Sequence, residues 1–294
     1  MDTIAELVDG VRDLVPLPKS YMRIQELVND PDSSLDDVTK VIMNDSALTS
    51  RILRIANSAY MGLAAKVDTV GRAVQVLGLN QVHDLALAGA AVGSLTKIET
   101  ATLDVGDFWR RSVYCAVVAR IVSKQKKIGS PERLFVSGLL HDSGHLLLAH
   151  RLPDRYAAAR AKAIATATPI HVVEQEEFGF NYAELGAALL RSWQLPEAII
   201  EPVQKHADDL ASIDTKLVPE ACVLHVGAII CRAAVWRSEV DEPVPEFDPV
   251  ALQLISIDSE STESIMHEAD ESVIEAMTLL LPAAGKSAAR ASAA

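Results

Sequence analysis

The chain has 294 residues, of which 49% are hydrophobic, and its formal net charge is −13 at pH 7. This composition suffices for a sizeable core in one large domain or in two lobes. No run of eighteen apolar residues occurs, so the sequence predicts no membrane-spanning helix. The acidic net charge disfavours a nucleic-acid partner on bulk electrostatics, although a local basic patch is compatible with it.

The N-terminal sequence and the cysteines both indicate the cellular compartment of the protein. The first residues, Met1–Glu6, lack a basic region and a long apolar region, so they predict no secretory signal. The three cysteines, Cys115, Cys222 and Cys231, are scattered and have no CxxC spacing. We therefore expect buried free thiols in a reducing cytoplasm.

Apolar residues recur at helical spacing along the whole chain, and alternating strand patterns are nearly absent. The predicted fold class is therefore all-α. In chain order, the predicted helices cover Thr3–Leu14, Ser20–Val28, Leu35–Ile42, Ala47–Ala56, Val70–Leu77, Asn80–Val92, Asp107–Lys126, a segment starting at Ser130 or Pro131, Tyr156–Ala165, Pro169–Phe178, Tyr182–Trp193, Pro196–His206, Leu217–Trp236 and Ser261–Leu281.

The segment Lys97–Asp104 has the character of a connection between two helical lobes. We predict an N-terminal lobe over residues 1–98 and a C-terminal lobe over residues 99–282. The remaining segment, residues 283–294, consists mostly of Ala and Ser and is predicted to be disordered.

The central stretch Val136–Leu148 is almost entirely apolar or small, except for His141, Asp142 and His145. Upstream, Ser130 is a suitable N-cap and Pro131 is tolerated in a first helical turn. Buried polar groups are costly unless they are paired. A polar cluster at the far end of a buried helix is therefore expected to bind a metal, to catalyse a reaction or to lock neighbouring helices together.

A metal centre is one interpretation of this cluster. His141 and His145 are four residues apart, so one continuous helix would place them on the same face. A hydrolytic centre needs further ligands from other helices and an open position for water. The candidates are His145, His150, His171, His206 and His225. The HExxH, P-loop, GxGxxG and GxSxG patterns are absent.

Each of these histidines also has a structural interpretation. His145, beside Gly144, is expected at a helix end near the negative pole of the helix dipole. His206 follows Lys205 and is expected at a helix end. His225 lies within an apolar stretch and is typical of a hydrogen-bonded core histidine.

Several short motifs together resemble the HDOD family, the HD-related output domain of bacterial signalling proteins. The resemblance extends from Leu14 to about Leu280. The motifs are Val15–Pro18, Asn44–Leu48, Leu53–Ser58, Ala73–Gly78, Phe108–Trp109, Gly138–Asp142, Leu185–Gly186 and Trp193–Pro196. This resemblance implies two α-helical lobes, of which the second is similar to the HD phosphohydrolase fold.

Active relatives of this fold use a His, a His-Asp pair, further His residues and a final Asp as metal ligands. The His-Asp pair is intact as His141 and Asp142. At the other expected positions stand Arg111, Tyr182, Lys205 with His206, and Ala228. A guanidinium group opposes a divalent metal, and Arg111 can instead pair with Asp142. The comparison implies a vestigial HD site made of Arg111, His141, Asp142, Tyr182 and His206, with structural rather than catalytic roles.

We therefore predict a non-catalytic signalling or regulatory module in the bacterial cytoplasm, with no cofactor and no metal. Its partner is expected to be a signalling protein or a small effector, and a second copy of the chain, in a homodimer, is a further candidate. No membrane partner is expected.

Two alternatives remain open. The first is a metal-dependent phosphohydrolase of nucleotides or cyclic dinucleotides, with a rearranged site of His141, Asp142, His145 and His206. The second is a nucleotide-binding sensor without turnover, in which Arg110, Arg111 and Lys205 contact phosphate.

Overall fold

The computed structural model describes residues 2–57, 66–213, 216–234 and 243–281, and these contain helices but no β-strand. The predicted all-α class is confirmed. The predicted disordered tail at 283–294 lies outside the described residues. In chain order the helices are α1 (Ile4–Arg12), α2 (Lys19–Asn29), α3 (Leu35–Met43), α4 (Ser46–Ala56), α5 (Val70–Leu77), α6 (Leu79–Leu95), α7 (Val105–Lys126), α8 (Pro131–Leu140), α9 (Ser143–Arg151), α10 (Pro153–Thr166), α11 (Ile170–Phe178), α12 (Tyr182–Ser192), α13 (Glu197–Lys205), α14 (Val218–Ala233), α15 (Pro249–Leu254) and α16 (Ser259–Leu280).

Every predicted helix has a counterpart in the structure, and α9 and α15 are additional. Local signals account for several helix starts. Ser130 caps α8 by accepting a hydrogen bond from the backbone N–H of Arg133, as predicted. Ser34 and Asp37 form a reciprocal capping box at the start of α3. No helix within the described ranges is long and apolar enough to cross a membrane.

The chain divides into two compact units. Among the described residues, unit 1 comprises Asp2–Val15 and Lys97–Glu271, whereas unit 2 comprises Pro16–Thr96 and Ser272–Leu281. This division differs from the predicted lobes, because α1 belongs with the later helices. Helix α1 packs on α9 and α12 and buries its apolar stripe of Leu7, Val8 and Val11.

The core of unit 1 is built around α7, which packs most extensively against α8 and then against α14. The close approach of α8 to α7 depends on Gly138. A Cβ atom at this position would lie 2.6 Å from the Cα of Ala116. Because α8 is held this tightly, the residues that follow its last turn are also fixed in the interior.

The chain breaks between α8 and α9, and this corrects two expectations. Helix α8 ends at Leu140 with His141 as its C-cap, and Asp142 precedes the first residue of α9. His141 and His145 therefore do not share one continuous helix. His145 lies in the first turn of α9, near the positive pole of a helix dipole and not near the negative pole. The apolar run that continues through Leu148 hides this break in the sequence.

Helix α12 is held against α9 by two glycines that face each other. A Cβ atom on Gly144 would overlap the carbonyl oxygen of Tyr182, and one on Gly186 would lie 2.9 Å from Ser143 Oγ. The absence of side chains here brings Tyr182, the first residue of α12, beside the break between α8 and α9.

Candidate functional site: a buried His-Asp cluster

The centre of the site is Asp142, whose side chain is completely buried in unit 1. Its Oδ1 accepts a hydrogen bond from Arg232 Nη2 at 3.0 Å, and it lies 3.3 Å from His141 Nε2. Its Oδ2 lies 3.5 Å from Arg111 Nε. The ion pair that the sequence suggested between Arg111 and Asp142 is thus present, but the hydrogen-bonded partner is Arg232, from α14.

These cations control the protonation of the carboxyl group. Burial alone would raise the pKa of Asp142, but His141, Arg232, His145 and Arg111 hold this pKa well below its usual range. Burial would lower the pKa of His141, and the Asp142 carboxylate reverses this effect, so the pKa of His141 is raised. The site therefore holds a buried carboxylate surrounded by positive charge.

A chain of hydrogen bonds leads from Arg232 to His206. The same Nη2 atom donates to the hydroxyl oxygen of Tyr182 at 3.3 Å. Tyr182 Oη lies 2.9 Å from Nε2 of His206. The other ring nitrogen of His206, Nδ1, lies 2.7 Å from the carbonyl oxygen of Val203. Because Nδ1–H donates to this carbonyl, Nε2 accepts the tyrosine hydroxyl. Burial and the charge of His141 hold the pKa of His206 well below its usual value, which matches a neutral imidazole.

His145 contacts a second buried carboxylate. Its Nδ1 lies 3.2 Å from Glu174 Oε1, and its ring stacks on Tyr182 with the centroids 4.0 Å apart. Glu174, from α11, also accepts a hydrogen bond from the backbone N–H of Tyr182 at 2.8 Å. Glu174 thus connects α9, α11 and the start of α12.

Two cysteine thiols also lie close to His141. The side chains of Cys115 on α7 and Cys231 on α14 are buried, and their sulfur atoms and an imidazole nitrogen of His141 all lie within 4.8 Å of one another. Burial raises the pKa of the Cys115 thiol well above its usual value. Although burial has the same effect on Cys231, the neighbouring Cys115 thiol and His141 imidazole lower its pKa to about 5.

The remaining histidines lie elsewhere or have structural partners. His225 uses both ring nitrogens, one on the carbonyl of His206 at 2.8 Å and one on the backbone N–H of Asp248 at 2.9 Å. This matches the interpretation of a hydrogen-bonded core histidine. His150 contacts the carbonyl oxygen of Glu99 at 2.8 Å and is not part of the cluster.

A cavity of about 280 Å³ opens beside the cluster within unit 1. Its polar walls include Tyr182, His206, His225, Arg232 and His171. Burial and the nearby Arg232 lower the pKa of His171 to about 4, so this imidazole is neutral at pH 7.

The cations proposed for phosphate contact do not line this cavity together. Arg110 pairs with Asp107, three residues earlier on α7. Arg111 faces Asp142, and Lys205 lies 3.1 Å from Asp208 Oδ2. Each of the three is thus already beside a carboxylate, and the structure does not support the sensor site in its predicted form.

Sequence reasoning missed Arg232, Glu174 and the two cysteines. A signal for Arg232 was available, because it follows Ala228 by four residues and so lies on the same helix face. Glu174 had no such signal, since the neighbouring Glu176 and Glu177 make its surroundings resemble a solvated helix face. The cysteines meet only because α7 and α14 pack together.

The side chains present do not fit the divalent metal that the HD fold implies. Such an ion prefers several carboxylate and imidazole ligands and an open position for water. Here Arg232 hydrogen-bonds the carboxylate, Arg111 adds a second positive charge, and Tyr182 and Ala228 supply no ligand of that type. We therefore derive no catalytic step through a metal at this position.

An all-helical unit with a buried His-Asp pair at a helix break defines an HD-related protein. The model of the HDOD domain family matches residues 14–209, and the chain belongs to this family. Its fold is similar to that of an HDOD domain protein of unknown function from Geobacter sulfurreducens, with a TM-score of 0.74, 23% identity and coverage of 95% of this chain and 97% of that chain.

Two further similarities were found. A protein from Shewanella amazonensis SB2B called "Putative phosphohydrolase" is 25% identical, with a TM-score of 0.67 and coverage of 94% of this chain and 98% of that chain. An uncharacterised protein of Treponema pallidum (strain Nichols) is 27% identical over 203 residues, which are 69% of this chain but only 39% of that relative. This chain thus corresponds to less than half of the Treponema protein.

Proposed function

We propose that the chain is a non-catalytic signal-transduction or regulatory module that acts by binding a signalling protein or a small effector. The observation that carries the proposal is the occupation of Asp142 by two guanidinium groups, through the 3.0 Å hydrogen bond of Arg232 and the 3.5 Å ion pair of Arg111. A guanidinium group balances the carboxylate charge, but it does not generate the metal-bound water that hydrolysis in this fold requires.

In this proposal the cluster is a structural lock between helices. Asp142 follows α8, whereas Arg111 and Arg232 come from α7 and α14. Tyr182 and His206 extend the same network to α12 and α13. The hydrogen bonds that link Asp142 Oδ1, Arg232, Tyr182 and His206 favour one arrangement of these helices.

The cavity beside Arg232 supports a small effector as the bound ligand. Its volume of about 280 Å³ suits a compact molecule. A ligand that draws on the Arg232 guanidinium would compete with Asp142 for it, and this would couple binding to the packing of α14. The acidic Asp208, Asp209 and Glu246 on the same wall disfavour a polyanion. A protein partner, a homodimer and a cytoplasmic location stay predictions.

The test is a turnover assay combined with a binding assay on the full chain. The protein is incubated with nucleotides and cyclic dinucleotides in the presence of Mn²⁺, Fe²⁺ or Zn²⁺, and the products are separated by chromatography. We expect no turnover above that of Asp142→Asn, and we expect any compound that raises the melting temperature to be recovered unchanged. Metal-dependent turnover that is lost in Asp142→Asn but kept in Asp84→Asn would overturn the proposal.

A metal-dependent phosphohydrolase is the second candidate, and two observations favour it. One is the name of the Shewanella protein. The other is that the four residues of the rearranged site lie in one cluster, since the His141 and His206 ring centroids are 5.5 Å apart and His145 Nε2 lies 3.8 Å from Asp142 Oδ1. This candidate function requires that Arg232 release Asp142. Arg232→Ala should therefore raise the metal-dependent turnover of the chain.

A further inference from the structure

Three potential metal donors meet in the interior of unit 1, next to the His-Asp pair. Cys115, His141 and Cys231 each offer one donor atom, and these atoms lie within 4.8 Å of one another. Their exposed fractions are 0%, 0% and 6%. Within the described ranges, no other set of three His, Cys, Asp or Glu residues has this spacing. We propose that Cys115, His141 and Cys231 bind one thiophilic closed-shell metal ion, Zn²⁺ or Cu⁺.

The orientation of His141 is the first argument. Its Nδ1 lies 2.8 Å from the carbonyl oxygen of Gly138, so this nitrogen carries the proton and donates. The other nitrogen, Nε2, is buried and has no hydrogen-bond partner in the described part of the chain. Metal-binding histidines usually donate one ring N–H to a carbonyl or a carboxylate while the other nitrogen binds the ion. Nε2 also lies 3.3 Å from Asp142 Oδ1, so a positive charge between these two atoms is favourable.

The position of the two sulfur atoms is the second argument. Gly227 allows α14 to approach α7, since a Cβ atom there would lie 3.2 Å from Cys115 Sγ. On the same helix, Cys231 Sγ lies 3.2 Å from the carbonyl oxygen of Ala228. Metal–sulfur distances of about 2.3 Å and metal–nitrogen distances of about 2.0 Å place donor atoms roughly 3.5 to 3.8 Å apart around one ion. The observed spacing, within 4.8 Å, must shorten by about 1.3 Å or less to reach this geometry.

Donor softness decides which ion is expected. Thiolate and imidazole donors select Zn²⁺ or Cu⁺ over Mg²⁺, Ca²⁺ and Mn²⁺. Binding releases to solvent each thiol proton that Cys115 and Cys231 carry, and it releases the Nε2 proton where His141 carries one. The three donors suffice for a trigonal Cu⁺ site, whereas Zn²⁺ takes a fourth ligand in addition to these three side chains.

This set differs from the hydrolase ligands, although it shares His141 with them. Cys115 follows Arg111 by four residues on α7, and Cys231 follows Ala228 by three residues on α14. The proposed site thus lies one helical turn along both helices from the positions where the HD fold implies ligands. Two thiolates and the Asp142 carboxylate carry three negative charges. Arg111, Arg232 and Cu⁺ balance them, whereas with Zn²⁺ one positive charge remains.

The experiment measures metal affinity of the full chain, reduced, metal-free and kept without oxygen. Zn²⁺ and Cu⁺ are titrated separately in competition with a chromophoric chelator. We expect one ion per chain in the wild type and an affinity more than about 100-fold lower in Cys115→Ser and in Cys231→Ser. The matched control is Cys222→Ser, because Cys222 is also buried on α14 but does not belong to the cluster. Its affinity should equal that of the wild type.

Binding of only one of the two ions supports the proposal and identifies the ion. No stoichiometric binding of either ion, or an equal loss in Cys222→Ser, would overturn it. If the cysteine variants do not fold, the Co²⁺ spectra of the wild type and of Cys222→Ser decide instead. A thiolate-to-cobalt charge-transfer band in both supports the site, whereas absence of the band together with absence of Cu⁺ binding contradicts it.

This outcome is independent of the proposed signalling function. Mn²⁺-dependent turnover would contradict that function and leave thiol coordination standing, whereas failure to bind Zn²⁺ or Cu⁺ would leave that function untouched.

Discussion

The chain contains two adjacent His-Asp pairs that are buried, one in each compact unit, and they differ in what surrounds them. In unit 2, His83 and Asp84 lie inside α6, with His83 Nδ1 at 3.2 Å from Asp84 Oδ1 and His83 Nε2 at 3.1 Å from the Tyr21 hydroxyl. Burial and the charge of Asp84 raise the pKa of Tyr21. Both pairs thus keep a carboxyl group in the interior, yet the direct partner of the unit 2 pair is a neutral phenol.

In unit 1, the break between α8 and α9 places the carboxylate of Asp142 where α7 and α14 can reach it. Two guanidinium groups approach the carboxylate there. The comparison shows that a buried His-Asp dipeptide is not enough for an HD site. In unit 1 the helix break and the convergence of α7 and α14 position the site, and the positive charges of Arg111 and Arg232 pair with the Asp142 carboxylate.

The largest effect that separates the two pairs is expected from removal of the carboxylate. Asp142→Ala leaves Arg111 and Arg232 without their shared partner, and breaking a buried ion pair costs about 3 to 5 kcal/mol. Asp84→Ala removes one hydrogen-bonded contact and should cost about 1 to 3 kcal/mol. Urea unfolding followed by tryptophan fluorescence, to which Trp109 and Trp193 of unit 1 contribute, measures the first. Circular dichroism of the whole chain measures the second. An equal loss of unfolding free energy in Asp142→Ala and Asp84→Ala would contradict this prediction.

The next prediction separates the two arginines. Arg232 makes a hydrogen bond to Asp142 at 3.0 Å and a second one to Tyr182, whereas Arg111 makes a 3.5 Å ion pair with Asp142. Hydrogen bonds to charged groups contribute about 1.5 to 3 kcal/mol, so Arg232→Ala should cost at least this much. Arg111→Ala should cost about 1 kcal/mol or less, because its group is partly exposed. NMR titration of the Asp142 carboxyl carbon should show a larger rise of its pKa in Arg232→Ala. A larger rise in Arg111→Ala would reverse the assignment.

Two glycine substitutions compare the packing of the two units. Gly144→Ala places a methyl group on the carbonyl of Tyr182 and should destabilise the protein by about 1 to 3 kcal/mol. Among the described residues, no atom outside the adjacent backbone of α6 lies within 4 Å of the methyl group that Gly93→Ala adds, and this substitution should stabilise the protein by up to about 1 kcal/mol. The free energy of unfolding in urea measures both. A neutral Gly144→Ala would mean that α12 can move away from α9 without cost.

The last prediction concerns acid stability. The pKa of His171 is lowered to about 4 in the folded chain, from about 6.5 in an unfolded one. The unfolded state therefore binds this proton first, and stability present above pH 6.5 falls as the pH decreases towards 4. His171→Gln should flatten part of this decline. Its effect is measured as the difference in free energy of unfolding between pH 7 and pH 4.5, and an unchanged difference would contradict the assignment.

Helix caps and helix positions could be predicted from the sequence, whereas contacts between helices far apart in the chain could not. The Ser130 cap, the Ser34–Asp37 box and the positions of the predicted helices follow from residue spacing alone. The pairing of Arg111 with Asp142 followed from the resemblance, because the fold fixes which helices meet. The role of Arg232 and the meeting of Cys115 with Cys231 depend on how α7 and α14 pack, which no local pattern encodes.

The central claim is that guanidinium groups stand where relatives of the HD fold would hold a divalent metal. The most direct measurement is Mn²⁺ binding to the wild type and to Asp142→Asn, followed by electron paramagnetic resonance of the free ion. We predict no stoichiometric Mn²⁺ binding in either protein, and stoichiometric binding in a variant that combines Arg111→His, Ala228→Asp and Arg232→Ala. One Mn²⁺ per wild-type chain, lost in Asp142→Asn, would contradict the account.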